Sequence, residues 1–244
     1  MDLYRQLPLP FPYRPRFAET DFLPASSNEA ARAWLQRPQD WPDGRLALWG
    51  PAGCGKTHLL TVWATRAGAD LLSGAALRDF PFRAGATALA VDDADMMTAE
   101  EPLLHLLNAA VDARVPVLLT GRTPPARWLV HLPDLTSRLR AVTAVEIRAP
   151  EDSLLRALLA RLLAERQIAV ADAVQDWLLL RLPRTAAALR EAVGQLDRAS
   201  LAVGGRISRP LAAEVLAAVD HGEAIPSDSD PFGPNPSSPQ PGFL

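Results

Sequence analysis

Residues 50–57 read GPAGCGKT and stand between the apolar run RLALW and the segment THLLTVWATRA. Gly50, Gly55, Lys56 and Thr57 satisfy G-x-x-x-x-G-K-[ST]. Such a loop needs glycines so that successive backbone N–H groups can turn inward around phosphate oxygens. A helix opening directly behind the loop adds positive partial charge at the same point. The pattern therefore predicts a strand over RLALW, a helix over THLLTVWATRA and an α/β fold built around the turn between them. Lys56 is expected to reach the β- and γ-phosphates, and Thr57 to hold Mg2+. Pro51, Ala52, Gly53, Cys54 and His58 are the remaining candidate contacts in this stretch. Among 25 basic residues Lys56 is the only lysine. An ammonium is a compact charge on a thin stem, whereas a guanidinium is a wide planar fork. Only the former fits inside a tight loop.

The rest of the chain supplies the elements such a fold needs. Short apolar runs recur at ADLLSG, ATALAVDD, VPVLLTG and VTAVEIRAP, alternating with helical or loop segments. That alternation predicts a parallel sheet with helices on its faces. Within residues 89–95, LAVDDAD, an apolar strand ends in Asp92 and Asp93. One carboxylate (Asp92) can serve the metal and the other (Asp93) can sit near an attacking water. Beyond Pro150 every apolar pattern has helical spacing, with a stop at Gly204 and Gly205 and a start at Ser208 and Pro210. The expected division is an α/β domain over 17–150 and a helical domain over 151–220.

Both ends differ from this middle. Residues 1–16 hold four prolines and are expected to be extended. Residues 221–244 hold six, with almost no periodic apolar positions, which predicts a disordered tail. A net charge of −3 argues against broad, non-specific wrapping of nucleic acid. A lone cysteine excludes an internal disulfide framework, and Cys54 reads as a small residue filling a small space. The N-terminus lacks the charged-then-apolar order of a signal peptide, and no apolar run is long enough for a membrane helix. The cytoplasm is the expected compartment.

Five segments taken in order, GPAGCGKTHLL, LAVDDAD, VPVLLTGRTPP, LPDLTSRLR and QLDRAS, resemble the DnaA-related AAA+ family. They resemble most its short regulatory members of the Hda type, and the likeness runs from about Gln6 to Asp220. The P-loop is common to many families, whereas LPDLTSRLR and QLDRAS are much more particular. The resemblance implies a five-stranded AAA+ core with a helical lid, holding ADP or ATP between them. In FAETDFLPASSNEAARAWL it places Phe22 and Leu23 near the adenine; the residues themselves predict a helix opened by a capping box from Ser26 to Glu29.

Arg138 falls where the family carries an arginine finger, a residue that acts on a neighbour's nucleotide. Two positions depart from the family. Arg122 stands where DnaA has an acidic sensor, with Thr120 and Thr123 nearby. Ala187 stands where the lid carries a sensor arginine, leaving Arg184 as the first substitute and Arg190 as the next. Both departures predict weak hydrolysis by the chain alone.

In QLPLPF, residues 6–11, Leu7, Leu9 and Phe11 alternate so that an extended chain projects them together, and Gln6 adds an amide. The stretch resembles the peptide by which this family grips the replicative sliding clamp, the β subunit of DNA polymerase III. The implied role is regulatory. The chain would hold nucleotide, dock on the clamp (and through it on DNA) and stimulate ATP hydrolysis on DnaA, with nucleotide-dependent self-association as a further implied contact. A DnaA-like initiator or helicase loader acting on DNA is the alternative. Against it stand the acidic pI and the proline-rich tail, which follows Asp220 where DnaA carries a DNA-reading domain. A P-loop enzyme acting on a small metabolite, such as a nucleotide kinase, is the third reading. LPDLTSRLR before a helical lid disfavours it.

Overall fold

A computed structural model describes residues 22–78, 85–203 and 207–221. The Gln6–Phe11 peptide and the proline-rich tail lie outside the described residues.

Each apolar run becomes a strand. These are β1 (Arg45–Trp49), β2 (Asp70–Ser73), β3 (Leu89–Asp92), β4 (Val117–Gly121) and β5 (Thr143–Glu146). They form one parallel sheet in the order β2-β3-β4-β1-β5. Strands β3 and β4 are buried throughout, as a parallel sheet covered on both faces requires. Successive side chains divide between the faces. Leu89, Val91, Val117 and Leu119 pack with Leu103 and Leu107 of α3 (Glu101–Ala113) and Leu135 and Leu139 of α4 (Pro133–Ala141). Ala90, Leu118, Leu46 and Leu48 pack on the other side with Leu60 and Trp63 of α2 (Lys56–Ala67) and Ala31 of α1 (Glu29–Leu35).

After β5 the chain turns helical. Helices α5 (Asp152–Glu165), α6 (Asp172–Leu179), α7 (Ala186–Val203) and α8 (Arg209–His221) enclose their own core around Leu155, Leu159, Leu178, Leu189, Val193 and Leu196. Among the described residues, no helix is long and apolar enough to cross a membrane.

The predicted capping box is not formed. Helix α1 starts at Glu29 behind Asn28, whose side chain is turned back to Ala25 N–H and Leu23 O. Ser26, the expected cap, is occupied elsewhere: its N–H and hydroxyl both donate to Glu151 Oε1, at 3.0 and 3.2 Å. A carboxylate 125 residues away competes for the hydroxyl that the local pattern assigned to the helix.

The sheet order gathers the site. In parallel strands all C-terminal ends lie at one edge, where α/β folds bind ligands. Because β4 sits between β1 and β3, the glycine loop after β1, the acidic turn after β3 and Thr120–Arg122 become neighbours.

Candidate functional site

The glycine loop leaves β1 at Gly50 and enters α2 at Lys56. At Gly50 a Cβ would collide with the carbonyl oxygen of Ile147, where the chain leaves β5 and crosses the loop. Gly53 adopts φ +76°, and a Cβ there would come 2.5 Å from Thr185 Cγ2. The turn leading into α7 therefore rests directly on the loop.

Between loop and lid lies a cavity of about 290 Å³. One wall is the loop and its helix start, Ala52–His58; Asp93 and Arg122 add charged groups from the strand ends. Leu154, Leu155 and Leu158 of α5, with Ala186, Ala187 and Arg190 of α7, form the lid side. Phe22 and Leu23 close the remaining end, with the Phe22 ring edge-on to His58 at 5.2 Å. An apolar end and a polar, glycine-lined end within one cleft suit a ligand with a flat ring and an anionic chain.

Lys56 is buried, 6% exposed, with its Nζ donating to Gly50 O at 2.9 Å and Pro51 O at 3.1 Å. Two of its three donors are thus spent on the loop's own carbonyls. Cys54 lies beside it, and burial pushes its thiol pKa up despite the Lys56 charge. Thr57 lines the cavity, and its hydroxyl has no hydrogen-bond partner among the described residues.

The two aspartates separate in role. Asp92 is buried, and its Oδ1 accepts the Thr120 hydroxyl at 2.6 Å. The same hydroxyl oxygen accepts the Asp93 N–H at 2.8 Å. Asp93, in the left-handed region at φ 45°, is turned to the cavity wall. Partial desolvation, then the neighbouring Asp92 charge, raise the Asp93 pKa, while Lys56 and Arg122 oppose them. A raised carboxyl pKa means that its ionised form destabilises the fold; the penalty is complete at neutral pH and disappears once the group is protonated in folded and unfolded chains alike. Asp93→Asn is therefore expected to raise Tm at pH 7. The increment should shrink as pH falls through the carboxylate range, which thermal melts from pH 7 to 4 would measure.

Arg184 is not a cavity residue: its guanidinium is paired with Asp152 and donates to Pro150 O. Helix α7 begins only at Ala186, so Arg184 stands in the turn before it and one-turn spacing does not apply. Arg190, inside the helix, lines the cavity instead and has no hydrogen-bond or ion-pair partner among the described residues. Arg138 lies in the last turn of α4, half-buried, outside the cavity and likewise unpaired among the described residues. The cavity leucines of α5 were missed, since an apolar helical stripe signals burial without saying whether protein or ligand covers it. Gln6, Leu7, Leu9 and Phe11 are not among the described residues.

Residues 152–216 match the family described as "Hda, lid domain". The chromosomal replication initiator protein DnaA of Sphingopyxis alaskensis is 30% identical to this chain, over 84% of the chain and 52% of the relative. The chain thus spans about half the length of that curated relative. Domain III of Thermotoga maritima DnaA superposes with a TM-score of 0.71 at 17% identity, covering 85% of this chain and 98% of that one. AMPPCP-bound DnaA from Aquifex aeolicus gives 0.64 at 16% identity, covering 78% and 67%. At such identities the solved structures speak for the fold: an α/β P-loop AAA+ core, here with an Hda-type helical lid. The lid match, the curated relative and the shared architecture together make the chain a DnaA-related AAA+ protein, close to Hda.

Proposed function

We propose that this chain is a nucleotide-holding regulator of replication initiation, which docks on the sliding clamp and stimulates ATP hydrolysis on DnaA. Residues 17–150 would act as the nucleotide-binding core, 151–220 as its lid, and Gln6, Leu7, Leu9 and Phe11 as the clamp contact. One observation carries the reading. A cavity lies between loop and lid, and outside it stands a separate arginine, Arg138, that has no partner among the described residues.

The residues present fit ADP or ATP. The loop is shaped around glycines that no Cβ could replace, and Lys56 needs only to exchange two carbonyls for phosphate oxygens. Phe22 and Leu23 lie where a purine would be covered by the α5 leucines. Among the described residues no cluster of acidic, His or Cys side chains could hold a metal alone. Magnesium at Thr57 would share its coordination with phosphate oxygens, and Asp92, buried behind the cavity lining, would reach it only through a bridging group; when bound the ion neutralises charge on the phosphates. Asp93 and Arg190 both line the cavity; Asp93 would orient a water, and Arg190 would meet the phosphates from the lid.

Arg138 would act elsewhere. A guanidinium without an internal partner can enter another molecule's site and stabilise charge developing on the transferred phosphoryl group. The proposed partner is ATP-bound DnaA. The chain, ADP, the clamp loaded on DNA and ATP-bound DnaA are mixed, and phosphate release is followed. Acceleration that requires both chain and clamp supports the reading; release at the rate of DnaA alone sinks it. Gln6→Ala is expected to keep nucleotide binding, lose retention on a clamp column and lose most of the stimulation. A variant that still stimulates fully with the clamp would remove Gln6 from the contact. The alternative, an initiator or helicase loader, draws on the initiator relative. It predicts direct DNA binding without the clamp. Such a protein would be expected to work in the cytoplasm, where the chromosome is.

A further inference from the structure

The end of β3 and the segment after it are tied at three points to the end of β4 and the segment after that. Asp92 accepts the Thr120 hydroxyl, and Asp93 donates its N–H to the same oxygen. Asp95 Oδ2 accepts the Arg122 N–H at 2.7 Å. Glu100 ends the series with the densest set of bonds. Its carboxylate accepts the His131 N–H at 2.8 Å, the Leu132 N–H at 2.7 Å and meets His131 Nδ1 at 3.0 Å. The two backbone N–H bonds to this carboxylate are the main reason its pKa is held below the ordinary value.

Leu132 is the residue preceding α4, and α4 has no side-chain cap of its own. A helix start with open N–H groups normally takes an Asp, Asn, Ser or Thr from its own chain segment. Here Glu100, just ahead of α3, instead holds the amides of His131 and Leu132, the two residues that lead into α4. Pro133 opens α4, Glu100 anchors the two residues leading into it, and Arg138 lies on α4 six residues beyond Leu132, roughly 9 Å along the axis. We propose that Glu100 is a positioning residue for Arg138: by holding the His131 and Leu132 amides it sets the register and direction in which α4 presents the guanidinium. This rests on the reading of Arg138 as a residue acting on another molecule.

The test is a double-mutant cycle in the phosphate-release assay, using the full chain. A misplacement of about 1 Å can cost on the order of a hundredfold in rate. Glu100→Ala is expected to lower the stimulated rate ~10- to 100-fold, with nucleotide affinity unchanged, and Glu100→Gln, which keeps one acceptor oxygen, to lose less. In an Arg138→Ala background, Glu100→Ala should cost nothing further, because a residue that acts through Arg138 has nothing left to position. Full stimulation by Glu100→Ala overturns the proposal, and so does an additional loss on top of Arg138→Ala.

A partner-free measurement separates this inference from the regulatory reading. Amide exchange at His131, at Leu132 and along α4 to Arg138 should quicken about tenfold in Glu100→Ala, the size of losing a hydrogen bond to a charged group. Unchanged exchange there would sink the role of Glu100 even if Arg138 proved essential. Faster exchange combined with an Arg138→Ala variant that stimulates normally would instead condemn the finger, and the positioning role with it.

Discussion

Arg138→Ala is expected to cut the stimulation of ATP hydrolysis on DnaA by about three orders of magnitude, the low end of what an arginine finger supplies in trans. The variant should fold and bind nucleotide as the native chain does. Arg138 is outside the cavity and has no partner among the described residues, so its removal orphans no buried group. Clamp retention should also be unaffected, since the proposed contact lies at residues 6–11. Arg138→Lys is the sharper control. Lysine keeps the charge but loses the planar fork that bridges two phosphate oxygens. It should restore only a small part of the rate. Phosphate release and nucleotide affinity measured on the same preparations decide the matter. Stimulation by Arg138→Ala at the native level would leave a nucleotide-binding domain with no trans-acting role.

Arg140, two residues on, is a natural comparison. It is exposed and belongs to the same helix turn, but it points from a different part of the helix surface, since i and i+2 positions do not face the same way. Arg140→Ala should retain stimulation. A surface effect of basic charge would weaken both variants alike, more strongly at low salt. A specific finger weakens one.

How much of this was legible before the structure depended on the distance between interacting residues. The five strands were visible because each is a short apolar run bounded by turn residues, a local signal. The glycine loop was visible for the same reason. The order in which strands pair was not, and the most consequential contact at the strand ends follows from it. Thr120 bridges Asp92 and the Asp93 N–H only because β4 lies beside β3, and no spacing along the chain announces that. Local rules failed where a distant group intervened. Ser26 and Glu29 have capping-box spacing, yet Glu151 takes the serine. Arg184 failed for a different reason: counting a helical turn back from Ala187 assumes a helix, and the chain there is still a turn after Pro183. Glu100 carried no signal, since an acidic residue opening a helix is ordinary. Its significance comes from α4 arriving at its carboxylate.

Lys56→Ala is expected to weaken nucleotide binding about a hundredfold, and Lys56→Arg to restore little of it. A charge-assisted hydrogen bond contributes roughly 1.5–3 kcal/mol, and about 1.4 kcal/mol is tenfold in affinity. The 6% exposure of Lys56 puts its ammonium in surroundings where charge is screened less than in water. In the native chain this charge is held by Gly50 O and Pro51 O, so the ligand gains phosphate contacts at the expense of two existing bonds. That exchange keeps the gain from a bare ion-pair value. Arginine fails on shape: its fork would have to occupy the space between the carbonyls of a loop already closed against Ile147 and Thr185. Ligand-induced stabilisation gives the readout. At a ligand concentration about 100 times the native Kd, binding stabilises by ~2.7 kcal/mol; a hundredfold weaker variant keeps only ~0.4 kcal/mol. For a chain of this size that is a Tm rise of roughly 5–10 °C reduced to about 1 °C. If Lys56→Ala kept the full rise, the nucleotide would be bound somewhere other than the glycine loop. If Lys56→Arg matched the native chain, the loop would have to be more open than its contacts with Ile147 and Thr185 allow, and the reason for a single lysine among 25 basic residues would lie outside this geometry.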